Sequence, residues 1–302
     1  MSASTAIRGE SQPLLAPASP LQAAVIFAAT SLLFFACLYV ALPFLRQMKT
    51  SWFVCFNLVL ALPMFSLVGC ALWAYKHEGH PLRWPVLRER FRLGRMGFSS
   101  WIWTAGLAIF MFGGRYADLM ALFVALVAIA VDREMTRQRK FRMAVVVAVF
   151  IGISWLVWLN RAFFIAIPLH PFPQVLQQFL ARLTGSNSFM DFPMRGHWWI
   201  AIYYAVVLLF GNIAGEELWW RGYLLPRQEV ASGRTAWLYH GLLWAGFHLF
   251  IQTTAWDLIR MMPTCCALAF VAQHRKNSWP GIFAHTVGNL GIMIGIVRGV
   301  IA

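Results

Sequence analysis

The residues of this chain best suited to chemistry are two adjacent carboxylates and a guanidinium in a long apolar segment. Glu216, Glu217 and Arg221 follow a run of hydrophobic residues that begins near Trp198. A charged side chain at the centre of a membrane helix costs about 2.5–3.5 kcal/mol on insertion scales, so such groups are functional candidates whose partners should be sought. The segment therefore predicts either a site or a structural ion pair.

Helix geometry separates the two carboxylates. Glu217 and Arg221 are four residues apart, which places them one above the other on an α-helix and predicts an ion pair. Glu216 points about 100° around the helix from Glu217, toward whatever cavity the other helices form. A carboxylate left without a cation is a candidate general base. The alternative is that both acids join helices through buried salt bridges.

Two histidines and an asparagine also lie within apolar segments. His248 and His285 are each surrounded by hydrophobic residues, and Asn289 shares a helix face with His285. A single membrane histidine is more often a hydrogen-bonding link between helices than a catalyst. Together with Glu216, however, these residues supply the base, water partner and oxyanion donors that acyl transfer to water requires. The set favours an enzyme.

In these residues the chain resembles the CAAX prenyl endopeptidase and bacteriocin-processing (CPBP) family of intramembrane proteases. The family motif Glu-Glu-x-x-x-Arg is matched by Glu216–Arg221, and His-x-x-x-Asn by His285–Asn289. The motif Phe-x-x-x-His corresponds to Trp244–His248, where Trp in place of Phe is a mild departure that bears on how the histidine packs. Each motif alone is common, but in this order on successive apolar segments the set is specific. The resemblance covers roughly residues 198–300.

The resemblance implies a role for each motif residue. Glu216 would activate water, and His248 would help to hold or deprotonate it. His285 and Asn289 would stabilise the tetrahedral oxyanion, while the Glu217–Arg221 pair would brace the site. No cofactor is then required.

A zinc site is the mechanistic alternative. Glu216, His248 and His285 could provide three ligands and leave a fourth position open. The sequence has no His-Glu-x-x-His, and Asn289 has no task in such a site. The residues therefore favour a glutamate-type hydrolase without a metal.

Composition indicates a membrane protein. Of the 302 residues, 60% are hydrophobic and 12% charged, the profile of an all-α polytopic helix bundle in a lipid bilayer. The formal charge of +14 comes mainly from bases in short loops, where they set topology, so a nucleic-acid partner is not expected. The five cysteines lie in apolar segments without metal-ligand spacing, and no disulfide is inferred.

Hydropathy predicts about 8–9 spans. They cover about residues 21–44, 52–75, two short spans or one kinked helix within 98–131, 143–167, 198–225, 236–251, 256–273 and 282–301. The expected organisation is a disordered tail at 1–20, N-terminal helices with basic cytoplasmic loops at 21–167, a Pro-rich connector at 168–197 and a catalytic domain at 198–302. Two short spans are preferred within 98–131, because they put the basic loops 76–95 and 133–142 on one side.

The leading hypothesis is an intramembrane endopeptidase that cleaves a membrane-associated protein or peptide. The alternative is a non-catalytic membrane protein that binds a peptide, such as an immunity or regulatory factor. A proton-coupled transporter would also use intramembrane Glu and His, but it should show paired halves, and the sequence has no such symmetry. The expected location is the cytoplasmic membrane of a bacterium.

Overall fold

The computed structural model describes residues 15–48, 51–111, 115–133, 135–167, 169, 188–189, 192–252 and 254–302. Most of the predicted tail (1–20) and of the predicted connector (168–197) lies outside these residues. The first helix begins at Pro20, where Ser19 forms a capping box with Gln22.

The fold is the predicted all-α helix bundle. Its α-helices are Pro20–Phe35, Leu42–Gln47, Trp52–His77, Trp84–Arg90, Phe98–Met111, Arg115–Val131, Arg137–Leu159, Arg161–Ile165, Trp198–Val206, Ala214–Glu216, Leu225–Ser232, Ala236–Phe247, Ala255–Arg275 and Trp279–Ile301. Three π-helical stretches, Ala36–Ala41, Val207–Ile213 and Glu217–Leu224, and two short 3₁₀ turns, Gly233–Thr235 and Leu249–Ile251, connect or extend them. Within the described chain the one strand pairing is an antiparallel contact of Ser188–Phe189 with Phe192–Pro193.

Six helical segments of the described chain are long and apolar enough to cross a membrane. They are Pro20–Leu45, Phe53–His77, Arg137–Leu159, Trp198–Ile251, Ala255–Arg275 and Trp279–Ile301, and the fourth contains more than one helix. Outward-facing side chains such as Leu58 and Leu62 are exposed, as lipid contact requires. The chain is a multi-pass membrane protein.

Residues 98–131 form two short helices rather than one kinked helix, as preferred from the charge pattern. Phe98–Met111 and Arg115–Val131 pack side by side, and a β-carbon at Gly106 would lie 3.4 Å from the side chain of Val124. The basic loop predicted at 133–142 differs from expectation: a helix begins within it at Arg137, because the Thr136 side chain accepts a hydrogen bond from the Arg139 amide and caps the helix there.

Ion pairs gather the basic loops on one face of the bundle. They are Arg92 with Glu229 (2.6 Å), Arg227 with Glu78 (2.5 Å) and Arg275 with Asp132 (2.7 Å). Because these pairs join the ends of several different helices, those ends lie on the same side, as the positive-inside pattern predicts. We call this side the basic face.

The helical stretch 198–232, here called the glutamate helix, packs closely on helix Trp52–His77. A β-carbon at Gly215 would lie 3.0 Å from the carbonyl oxygen of Met64, so glycine favours this close approach. The backbone widens to π-helical geometry on both sides of Glu216. Such widenings are frequent at functional sites.

Candidate active site

Three helical segments supply the polar residues predicted from the sequence. The glutamate helix carries Glu216 and Glu217, His248 directly follows helix Ala236–Phe247, and His285 lies on helix Trp279–Ile301. All four side chains are buried. The predicted residues therefore come from separate segments into one cluster.

Glu216 accepts two short hydrogen bonds, one on each carboxylate oxygen. The Asn212 amide nitrogen donates to Oε1 across 2.6 Å, and the Trp244 indole nitrogen donates to Oε2 across 2.6 Å. Hydrogen bonds from neutral donors to a carboxylate are charge-assisted and orient it strongly. Both carboxylate oxygens are thus fixed in position.

His248 faces Glu216 without a direct hydrogen bond. Its Nδ1 lies 2.8 Å from the carbonyl oxygen of Trp244. Because a carbonyl oxygen can only accept, Nδ1 carries the proton and Nε2 of the neutral ring is an acceptor. Nε2 lies 3.8 Å from Oε2 of Glu216, too far for a direct bond and a separation at which a bridging water is considered.

The ion pair expected from helix spacing is present. Arg221 Nη2 lies 2.6 Å from Glu217 Oε1, and both side chains are fully buried. His285 Nδ1 lies 3.1 Å from the same oxygen. The Arg221 Cζ also lies 3.6 Å from the centre of the Trp244 ring, in cation–π geometry. This pair therefore contacts both the His248 segment and the His285 helix.

Asn289 is linked to Glu216 through a second asparagine, Asn212. Its amide nitrogen donates to Asn212 Oδ1 across 2.9 Å, and Asn212 in turn donates to Glu216. An asparagine amide has two N–H donors, so one N–H of Asn289 is not used in this contact. The chain Asn289–Asn212–Glu216 links two helices that are 77 residues apart in sequence at this point.

A cavity of about 690 Å³ adjoins the cluster. Four predicted residues line it: Glu216, His248, His285 and Asn289. The Glu217 and Arg221 side chains do not, as the 100° separation on the helix predicts. The site thus divides into a cavity-facing set and a buried supporting pair.

Sequence reasoning missed two contributors. Asn212 was overlooked, although it is a polar residue in an apolar run four positions before Glu216, where a helix brings the two together. Trp244 was noted only as a departure from the motif. Its indole N–H, which phenylalanine lacks, is what contacts Glu216.

No three His, Cys, Asp or Glu side chains of the described residues are arranged to hold a metal ion. His285 is turned toward Glu217, and Glu216 toward Asn212 and Trp244. These side chains are thus hydrogen-bonded to other groups of the protein.

Comparison with known proteins identifies the segment that contains the cluster. Residues 197–291 match the family model described as type II CAAX prenyl endopeptidase Rce1-like. No curated protein and no solved structure matches the chain. The match spans all three motifs and about the last third of the chain, and leaves the N-terminal helices unmatched. This match supports the resemblance of residues 197–291 to the CAAX prenyl endopeptidase and bacteriocin-processing family.

Proposed function

We propose that this protein is an intramembrane endopeptidase that hydrolyses a peptide bond of a membrane-associated protein or peptide. The observation that carries the proposal is the pair formed by Glu216 and His248. Oε2 of the carboxylate and Nε2 of the imidazole face each other across 3.8 Å, and each group is held by hydrogen bonds to other atoms. Two acceptors at that separation are suited to hold one water between them.

The reaction follows from this arrangement. Glu216 takes a proton from water as the oxygen attacks the substrate carbonyl, and His248 orients the same water through Nε2. The oxyanion that forms receives the remaining amide N–H of Asn289 and the Nε2–H of His285 in its imidazolium form, the form in which both ring nitrogens are donors. The proton held by Glu216 then passes to the leaving amine, and the C–N bond breaks. No step requires a metal or another cofactor.

The surrounding contacts suit these roles. Asn212 and Trp244 hold the carboxylate so that it does not reorient during proton transfer. Glu217 holds His285 through Nδ1, which turns the opposite nitrogen away from the ion pair. Positioning of this kind is what a hydrolase needs, because preorganised donors stabilise developing charge without rearrangement. We place the protein in the cytoplasmic membrane of a bacterium, with its basic face toward the cytoplasm.

The test is cleavage of a pooled set of membrane proteins by purified protein in detergent. Wild type, Glu216→Gln, His248→Ala and Glu217→Gln are compared, each with and without a strong chelator. We expect wild-type cleavage that survives chelation, complete loss in Glu216→Gln, and loss of at least about a hundredfold in His248→Ala, since a positioned acid–base partner contributes roughly 10²–10⁴-fold. Glu217→Gln is the matched control one residue away; it should cleave at a reduced rate.

Other outcomes assign other functions. Cleavage lost on chelation and restored by zinc favours a metal site built on Glu216, His248 and His285. Absence of cleavage by folded wild type favours a peptide-binding, immunity or regulatory protein.

A further inference from the structure

A second carboxylate lines the cavity that contains Glu216. Asp118 lies near the start of helix Arg115–Val131 and is only 3% exposed. Ser154, on helix Arg137–Leu159, donates a hydrogen bond to Asp118 Oδ2 across 3.0 Å. Both residues line the cavity, and both lie outside the segment that matches the family. The N-terminal helices therefore contribute Asp118 and Ser154 to the cavity of the C-terminal site.

Asp118 differs from most other acids of the described chain in lacking a basic partner. Acids with an Arg, Lys or His nitrogen within 4.0 Å include Glu78, Asp132, Glu217, Glu229 and Asp257. Among the side chains that the structure describes, Asp118 has neither such a nitrogen nor a hydrogen bond besides that from Ser154. Glu216, the proposed base, differs from Asp118 in having a histidine nitrogen at 3.8 Å, that of His248. Buried intramembrane acids without a cation are functional by default.

Asp118 lies too far from the basic face to join the ion pairs there. Asp132, which pairs with Arg275 at the basic face, is fourteen residues further along. At 1.5 Å per residue this corresponds to about 21 Å along the helix. Among the side chains that the structure describes, the bases of the basic face are therefore too far along the helix to reach Asp118, whereas Asp118 lines the cavity.

The cavity wall suits a long basic side chain. Phe110, Met111 and Trp158 line the same cavity and present apolar surface. Lysine and arginine bury their methylene stems on such surface while the charged end reaches a carboxylate. Of the other two acids in the cavity, Glu216 is the proposed base, and Asp257 lies 3.4 Å from Arg260, which also lines the cavity.

We propose that Asp118 and Ser154 form a subsite that binds a cationic group of the peptide substrate, in the first instance a lysine or arginine side chain. The proposal rests on the proposed endopeptidase function, because it names the chemistry of a peptide that enters the same cavity. The carboxylate pairs with the ammonium or guanidinium, and the Ser154 hydroxyl holds the carboxylate in place. The subsite selects basic residues near the scissile bond.

Binding tests the subsite separately from cleavage. The protein carries Glu216→Gln, which removes both catalysis and the competing charge, and is placed in nanodiscs of phosphatidylcholine so that lipids do not attract basic peptides. Three pools of apolar nonapeptides are added to this protein at increasing concentration. The fraction of protein with bound peptide is measured by microscale thermophoresis. The first is capped at both ends and carries one lysine at each position in turn. The second is the same with norleucine, and the third is the norleucine pool with a free amino terminus.

We expect the lysine pool to bind at least tenfold more tightly than the capped norleucine pool. Asp118→Asn, which keeps the shape and the Ser154 contact, should remove that difference. Ser154→Lys should also remove it by supplying an internal ammonium, and it serves where Asp118→Asn does not fold. Asp257→Asn is the matched control and should keep the difference. Tighter binding of the third pool would assign the subsite to a peptide amino terminus.

Equal binding of all three pools by the Glu216→Gln protein would overturn the subsite, as would a lysine preference that survives both Asp118→Asn and Ser154→Lys. Cleavage by wild type is measured in parallel. A lysine preference in binding without any cleavage would retain the subsite and reject the endopeptidase. Cleavage without a basic preference would do the reverse.

Discussion

The indole nitrogen of Trp244 donates a hydrogen bond to Oε2 of Glu216 across 2.6 Å. The face of the same ring lies 3.6 Å from Arg221 Cζ. One side chain therefore contacts both the cavity-facing carboxylate and the cation of the buried ion pair. At this position the family motif has phenylalanine, which offers the ring but not the N–H.

Replacement of Trp244 by Phe separates these two functions. The ring that contacts Arg221 remains, but Glu216 loses one of its two oriented hydrogen bonds. A hydrogen bond to a charged group contributes about 1.5–3 kcal/mol. If most of that acts on the transition state, kcat should fall roughly 10- to 150-fold with KM little changed. Cleavage kinetics measure this; an unchanged kcat would show that the indole N–H does not position the base.

Asn212→Ala should impair cleavage through its contacts with Glu216 and Asn289. The change removes the donor to Glu216 Oε1 and the acceptor for Asn289, so the base and an oxyanion donor both lose their orientation. We expect a kcat reduction of roughly 10- to 150-fold, from the same range for a charged hydrogen bond. Asn57→Ala is a control, since the Asn57 amide donates to the Phe53 carbonyl of its own helix and not to Glu216 or Asn289. Equal losses in both variants would point to general destabilisation instead.

Gly281 should be intolerant of any side chain. A β-carbon there would clash with Glu217 Oε2, and the Glu217 carboxylate cannot retreat because Arg221 holds it. Overpacking of this kind costs about 1–3 kcal/mol. Gly281→Ala should therefore lower the free energy of unfolding, measured by denaturation in detergent.

Gly291→Ala is the matched control on the same helix. A β-carbon at Gly291 would meet no atom within 4 Å. Since alanine is favoured over glycine in a helix by about 0.5–1 kcal/mol, this variant should be neutral or slightly stabilised. The explanation is wrong if the two variants unfold alike.

The sequence predicted local relationships well and long-range ones poorly. The Glu217–Arg221 pair was predictable because both residues lie on one helix, four positions apart. The partners of His285 and Asn289 were not, because Glu217 and Asn212 lie 68 and 77 residues away and the contacts depend on how two helices cross. His285 and Asn289 share a helix face as predicted, yet each contacts a different partner.

The depth of each histidine in the membrane was also hard to predict from the sequence. From the predicted spans, His248 lies deeper than His285, and nothing in the sequence says how they meet. In the structure the Trp244 ring packs against both, with its centroid 5.5 Å from that of His248 and 5.9 Å from that of His285. Helix Ala236–Phe247 also ends four residues before the predicted span does, so His248 sits on a turn. Hydropathy does not reveal that an aromatic ring near a helix end contacts side chains of two different segments.

Replacing the Glu217–Arg221 pair tests whether the pair stabilises the fold or only positions His285. Glu217 Oε2 and Arg221 Nε and Nη1 are buried without a hydrogen-bond partner among the described residues, so the pair is incompletely satisfied. Arg221→Met alone leaves Glu217 without its cation and should cost about 3–5 kcal/mol of unfolding free energy. The double variant Glu217→Leu/Arg221→Met should recover most of it, because apolar replacement of a buried pair is often neutral or stabilising by about 1–4 kcal/mol.

Activity should not recover with stability. The double variant leaves His285 Nδ1 without the carboxylate that holds the ring, so the oxyanion donor is no longer oriented. We therefore expect a protein that unfolds like wild type but cleaves at least tenfold more slowly. The variant Glu217→Gln/Arg221→Met should be intermediate, because the amide oxygen of the introduced glutamine can still accept from His285. Denaturation and cleavage assays on the same preparations measure both quantities. Recovery of full activity in the double variant would show that the pair does not position His285 for the reaction.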